Sequence, residues 1–142
     1  MGRTVTRIKL TNLGDLAKVR EGVLPPDQAR SVELQALVDT GATTLAIPED
    51  AARAVGAVEL HRRKVRLADG TVDELPVVIN FVVEILGRQT TCEAFVLPPG
   101  ATALVGQIPL EALDLIVDPK SKEIAVNPAS PDAPILDLLE AG

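Results

Sequence analysis

The feature that most constrains this chain is an acid set between two apolar runs. Leu34-Gln35-Ala36-Leu37-Val38 leads into Asp39-Thr40-Gly41, and Ala42-Thr43-Thr44-Leu45-Ala46-Ile47-Pro48 leaves it. Val32, Leu34, Ala36 and Val38 recur at period 2, which predicts a strand, and a second strand follows the glycine. A carboxylate at such a junction is costly unless hydrogen bonded or charge-compensated. The plain alternative is a polar turn in which Asp and Thr bond the local backbone and Gly supplies a positive φ. An aspartyl-phosphate loop would want a lysine or second carboxylate beside the Asp, and a larger α/β domain.

Elsewhere the pattern is almost wholly β. Val5 to Thr11 alternates as a half-buried strand and ends at a predicted turn, Asn12-Leu13-Gly14-Asp15, with Leu16 to Val19 as a short partner strand. Arg30 to Val38 delivers Asp39, and Pro48 opens a short helix over Glu49 to Val55 that Gly56 ends. The basic arm after Val58, with Arg62, Arg63, Lys64 and Arg66, reverses at Asp69-Gly70, a strong two-residue hairpin signal. Val77 to Leu86 reads as one long strand that turns at Gly87-Arg88 and returns as Thr90 to Leu97. Ala103-Leu104-Val105-Gly106 echoes Ala36-Leu37-Val38, and each is followed by a short helix, so the two halves read as a degenerate repeat. Strands are expected at Leu115 to Val117 and Glu123 to Val126.

The 142 residues and 46% apolar content suit one domain over 1–128, its core packed from aliphatic side chains because Phe81 and Phe95 are the only aromatics. Residues 129–142 read as a proline-rich linker and a short amphipathic tail, Ile135 to Ala141. A net charge of −6 argues against a nucleic-acid partner. Cys92 is the single cysteine and His61 the single histidine, so no metal site or internal disulfide can be assembled from them. No apolar run approaches a membrane span, and the chain reads as cytoplasmic; Met1-Gly2 fits the loose myristoylation pattern only in passing.

Asp39-Thr40-Gly41-Ala42 after an apolar strand, a hairpin around Gly70, and Leu104-Val105-Gly106 before a helix together resemble the retropepsin-like, single-domain aspartic proteases over roughly Val5 to Pro128. The resemblance implies a mainly all-β, closed barrel-like fold with one or two short helices, acting as a symmetric homodimer without a cofactor. It implies an endopeptidase in which Asp39 of each copy is catalytic and a water is activated between them. Thr40, Gly41 and Ala42 would support the loop. Leu37, Ala46, Leu104 and the flap residues Asp69 and Gly70 would line the site for an extended polypeptide, and Gly106 would let its strand approach the loop. Viral members often carry an Asp–Arg ion pair where this chain has Thr43 and Gln107, which could be replaced here by a neutral hydrogen bond. The rival functional readings are a catalytically silent dimerisation or peptide-binding module, and an unrelated aliphatic barrel with an incidental turn.

Overall fold

The computed structural model describes residues 3–139. The Met1-Gly2 start and the end of the tail at Ala141 lie outside the described residues. The first strand, β1 (Val5–Asn12), buries Thr6, Ile8, Leu10 and Asn12 and leaves the intervening side chains largely outside, as its period-2 pattern predicts. It pairs antiparallel with β2 (Ser31–Val38), from Val5 opposite Leu37 to Thr11 opposite Ser31.

Between them the chain departs from expectation. Leu13–Arg20 is a helix, α1, and not a turn with a partner strand. Asn12 explains it: buried at the end of β1, its side chain caps the helix by accepting from the Asp15 amide at 2.8 Å while its Nδ2 donates to Val55 O at 2.9 Å. Asp15 then takes Nε and the amide of Arg30, both at 2.9 Å, which anchors the start of β2. A capping Asn followed by Gly-Asp reads equally well as a turn; its buried partners, 40 residues and more away in the chain, decide the matter.

The remaining strands are β3 (Leu45–Pro48), β4 (Val58–Arg66), β5 (Val72–Ile79), β6 (Phe81–Ile85), β7 (Arg88–Thr91), β8 (Ala94–Leu97) and β9 (Ala103–Val105), with α2 (Glu49–Ala54) after β3. They join in one nine-stranded sheet of order β4-β5-β8-β3-β9-β2-β1-β6-β7. The helix α3 (Gln107–Ala112) follows β9, and β10 (Leu115–Val117) with β11 (Ile124–Val126) makes a separate hairpin. The sheet curls as half a barrel, and among the described residues it is not closed: β4 and β7 are its two edges. Three α-helices and a 3-10 turn at Pro26–Gln28 exceed the one or two helices expected.

The single long strand expected over Val77 to Leu86 is two strands, and so is its return. Asn80 adopts a positive φ of 79°, which Asn tolerates better than most residues, and its Oδ1 accepts from the Gly14 amide. That kink sends β5 to β4 and β8, and β6 to β1 and β7. The core lies inside the curl, where Ile8, Leu10, Leu45, Ile47, Phe81, Val83, Ile85 and Val105 are each at most 1% exposed. The proline-rich stretch after Asn127 lies against the body, with Ser130 3% exposed, whereas Leu138 beyond it is 93% exposed in irregular chain.

Candidate active site

The two echoing segments of the sequence lie side by side. β2 and β9 pair in parallel with Ala36 opposite Ala103, Leu37 opposite Leu104 and Val38 opposite Val105, so the repeat pairs residue with residue. β3 lies on the far side of β9, antiparallel, with Leu45 opposite Val105 and Ala46 opposite Leu104. β9 is thereby wedged between the strand that enters the Asp39 loop and the strand that leaves it.

This wedge fixes the loop by backbone bonds. The Asp39 amide donates to Val105 O at 2.9 Å, and the Gly106 amide donates to Thr44 O at 3.1 Å. The amides of Gln107 and Ile108, at the start of α3, donate to Ala42 O and Thr43 O at 2.9 and 2.8 Å. Gly106 is required by proximity, not by its backbone angles: a Cβ there would stand 2.5 Å from Thr44 O and 2.6 Å from Ala42 O. Within the loop, Asp39 Oδ1 accepts from the Gly41 amide at 2.9 Å, and Asp39 O accepts from the Ala42 amide at 3.0 Å. The carboxylate is oriented by its own turn while Asp39, Thr40 and Gly41 stay exposed. Among the described residues no ion pair engages Asp39.

No side-chain bond links Thr43 and Gln107. Gln107 Nε2 donates to Glu111 Oε1 at 2.8 Å, one turn along its own helix, and the contact between the two segments is the backbone one just described.

A cleft of about 530 Å³ begins at Gly41 and Ala42 and runs under the β4–β5 hairpin. Ala46 and Leu104 lie in its floor, Phe95 and Leu97 in one wall, and Val65 and Leu67 in its roof. Of the residues expected to contact substrate, Ala46 and Leu104 are brought together here. Leu37, Asp69 and Gly70 lie outside the lining of this cleft, as do Asp39 and Thr40 at its mouth. Phe95, Leu97 and Ile108 were missed, although Phe95, one of two aromatics in an aliphatic chain, was a signal that could have been used. A hollow of similar size, about 550 Å³, lies between α2 and the base of the arm beyond Leu75 and Leu97, and it holds no residue of the Asp39 loop.

The arm over the cleft is lightly held. Its base is fixed where β5 pairs with β8, at Val77–Phe95 and Val78–Ala94. Further out, among the described residues, the one polar link from the hairpin to the rest of the chain is Arg63 to Glu93, at 3.7 Å with both side chains well exposed. Such a pair contributes between nothing and about 1 kcal/mol. The tip is not the two-residue turn that Asp-Gly suggests. The Gly70 amide donates to Leu67 O and the Leu67 amide to Thr71 O, and Gly70 alone among the tip residues has a positive φ, 86°. This is a three-residue loop ending in a glycine bulge, closed by Asp69 Oδ1 accepting from the Thr71 amide and hydroxyl. The two-residue turn with positive φ at both positions occurs instead at Leu86-Gly87.

Other nucleophile chemistry finds little support. Burial pushes the Cys92 thiol up to about 11, which keeps it protonated and unreactive at neutral pH. His61 is exposed on β4 opposite Val77, at the base of the arm.

Residues 28–120, from the approach to β2 through β10, match the family described as "gag-polyprotein putative aspartyl protease". The chain belongs to this family. The match takes in the Asp39 loop, the arm, and Leu104-Val105-Gly106 with α3, and the mostly-β curled sheet is consistent with the aspartic protease fold. β1, α1 and β11 lie outside the matched residues, yet β1 pairs with β2, β11 with β10, and α1 is tied to the start of β2 by the Asp15–Arg30 bond. No curated protein matches the chain.

Proposed function

We propose that this chain is an aspartic endopeptidase whose active site is completed by a second copy of itself, with one Asp39 from each. The observation that carries the reading is the Asp39 carboxylate: exposed beside a cleft with an apolar floor, held by the Gly41 amide and, among the described residues, in no ion pair. Hydrolysis by this route needs two carboxyl groups sharing a proton, because like charges about 3 Å apart cannot both ionise. One takes a proton from the attacking water and the other hydrogen-bonds the substrate carbonyl oxygen. The water oxygen adds to the carbonyl carbon, the C–N bond then breaks, and the amine leaves with a proton.

One Asp-Thr-Gly per chain makes a two-fold dimer the economical way to bring two such groups together. Thr40 stands beside the acid where it would bond the partner loop, and Gly41 offers its backbone to substrate. The substrate would be an extended polypeptide with apolar side chains for Ala46, Leu104, Val65 and Phe95, its backbone pairing as an added strand.

The test is cleavage of a random peptide library by the wild type and by Asp39→Asn. The expected outcome is cleavage by the first alone, with specific activity falling on dilution through the dimer dissociation constant. Asn is nearly isosteric, so fold and dimer should persist. Dimers that bind peptides but leave the whole library uncut would mark a silent peptide-binding module instead.

A further inference from the structure

Helix α3 is tied at both of its ends. At its start, the Gln107 and Ile108 amides hold Ala42 O and Thr43 O, the two residues that follow Gly41. At its end, the carbonyls of Leu113 and Asp114 both accept from Arg88 Nη1 at 3.0 Å, and Arg88 Nη2 donates to Ser130 O. Arg88 is 6% exposed and, among the described residues, forms no ion pair at 4 Å or less, so two carbonyls at the helix terminus and that of Ser130 hold this buried cation.

Asp114 gathers the same segment from the other side. Its carboxylate accepts from Asn127 Nδ2 at 3.0 Å, from Ser130 Oγ, and from the Ile135 amide at 3.1 Å, while its carbonyl accepts from the Asn127 amide at 3.2 Å. Those bonds hold the carboxyl below its usual range, led by the one from Ser130. A helix of six residues has little stability of its own, so its position is set by Leu110 and Leu113 packing into the core and by what grips its ends. One end is gripped by the Asp39 loop and the other by residues 127–135.

We propose that residues 127–135 form a strap that positions the Asp39 loop through α3, with Arg88 and Asp114 as its positioning residues. The proposal deepens the endopeptidase reading, on which its catalytic consequence rests. Neither residue touches substrate. Loosening the strap lets the Ala42–Thr43 corner of the cleft drift while Ala46, Phe95, Leu97 and Leu104 on β3, β8 and β9 stay in place, so turnover falls while peptide binding is largely kept.

The test uses the full chain carrying Asp114→Asn, which retains a residue type that tolerates the φ of 53° there, and Arg88→Lys as a second variant. Amide hydrogen exchange and peptide kinetics are measured on both. The expected result is faster exchange at Ser130 and Ile135 together with exchange about tenfold faster at Gln107 and Ile108, while Ile8 and Leu10 in β1 stay at the wild-type rate. In the same proteins kcat falls about fivefold and KM stays within about twofold. Faster exchange of the strap with Gln107 and Ile108 unchanged would overturn the coupling. Equal acceleration at Ile8 and Leu10 would also overturn it, since Arg88 and Asp114 would then be general stabilisers, and so would a strap that neither variant loosens. If the wild type cuts no peptide, the endopeptidase reading fails, and the exchange data still decide whether strap and loop are coupled.

Discussion

The floor of the cleft and the arm above it are both β-structure drawn from Ser31 to Val105, and they are held by opposite means. In the floor, β9 sits between β2 and β3, the pairing is between buried backbones, and Ala36, Leu45, Ala103 and Val105 are at most 1% exposed. In the arm, β4 is exposed at every position but Val65, and among the described residues one long ion pair is the polar link from the hairpin beyond its base to the body. A site that must keep a carboxylate in place and still admit a polypeptide needs both. On the endopeptidase reading proposed above, rigidity is concentrated where charge would be handled, and looseness where a substrate would enter.

The largest effect should come from removing the fit of the floor. Gly106→Ala places a Cβ within 2.6 Å of two backbone oxygens that are themselves pinned by hydrogen bonds. Relief requires β9 or the Asp39 loop to move, and the expected loss is about 3 kcal/mol or more of stability, read from urea unfolding. A variant as stable as the wild type would mean that the floor is as pliant as the arm.

Gly70→Val sharpens the comparison from the other side. Nothing lies within 4 Å of the added group, so the cost is the φ of 86° alone, about 1–3 kcal/mol and confined to an exposed tip. Turnover should fall about tenfold while the loss of global stability stays within that local cost and below the loss in Gly106→Ala, because lid closure needs the turn and the core does not. Wild-type turnover in this variant would remove the arm from the mechanism.

Much of the floor was legible in the sequence because its signals are local. Period 2 marked β1 and β2, Pro48 and Gly56 bounded α2, and the echo of Ala36-Leu37-Val38 in Ala103-Leu104-Val105 marked two segments that lie paired. Where the reading failed, distant partners decided. Leu13–Arg20 is helical because Asn12 is buried against Val55 and Gly56, and the strand expected from Val77 to Leu86 breaks at Asn80, whose carbonyl takes the Leu13 amide. Arg88, taken for a turn residue after Gly87, is a buried cation that only the tertiary structure could reveal. Of the cleft residues on β8, Phe95 stood out only as one of two aromatics, and Leu97 differs in no pattern from core.

A smaller effect concerns pH and the anchoring of β2. Asp15 is held at about 2, down from 3.8, first by its side-chain bond with Arg30. A carboxyl with a depressed folded pKa stabilises above its unfolded value and loses that contribution as pH falls through the folded one. Stability should therefore decline as pH drops from about 4 towards 2, and Asp15→Asn should flatten that part of the unfolding profile. An unchanged acid limb in Asp15→Asn would show that this brace does not anchor the floor.

If each active site takes one Asp39 from each of two copies, mixing subunits must reveal it. Wild type and Asp39→Asn are combined in equal amounts, allowed to exchange fully, and assayed against a peptide that the wild type cleaves. Random re-pairing leaves about a quarter of the dimers with two aspartates, so activity per total protein should fall to about a quarter of that of the wild type. If about half survives, each chain carries a complete site of its own and the shared-dyad account is wrong.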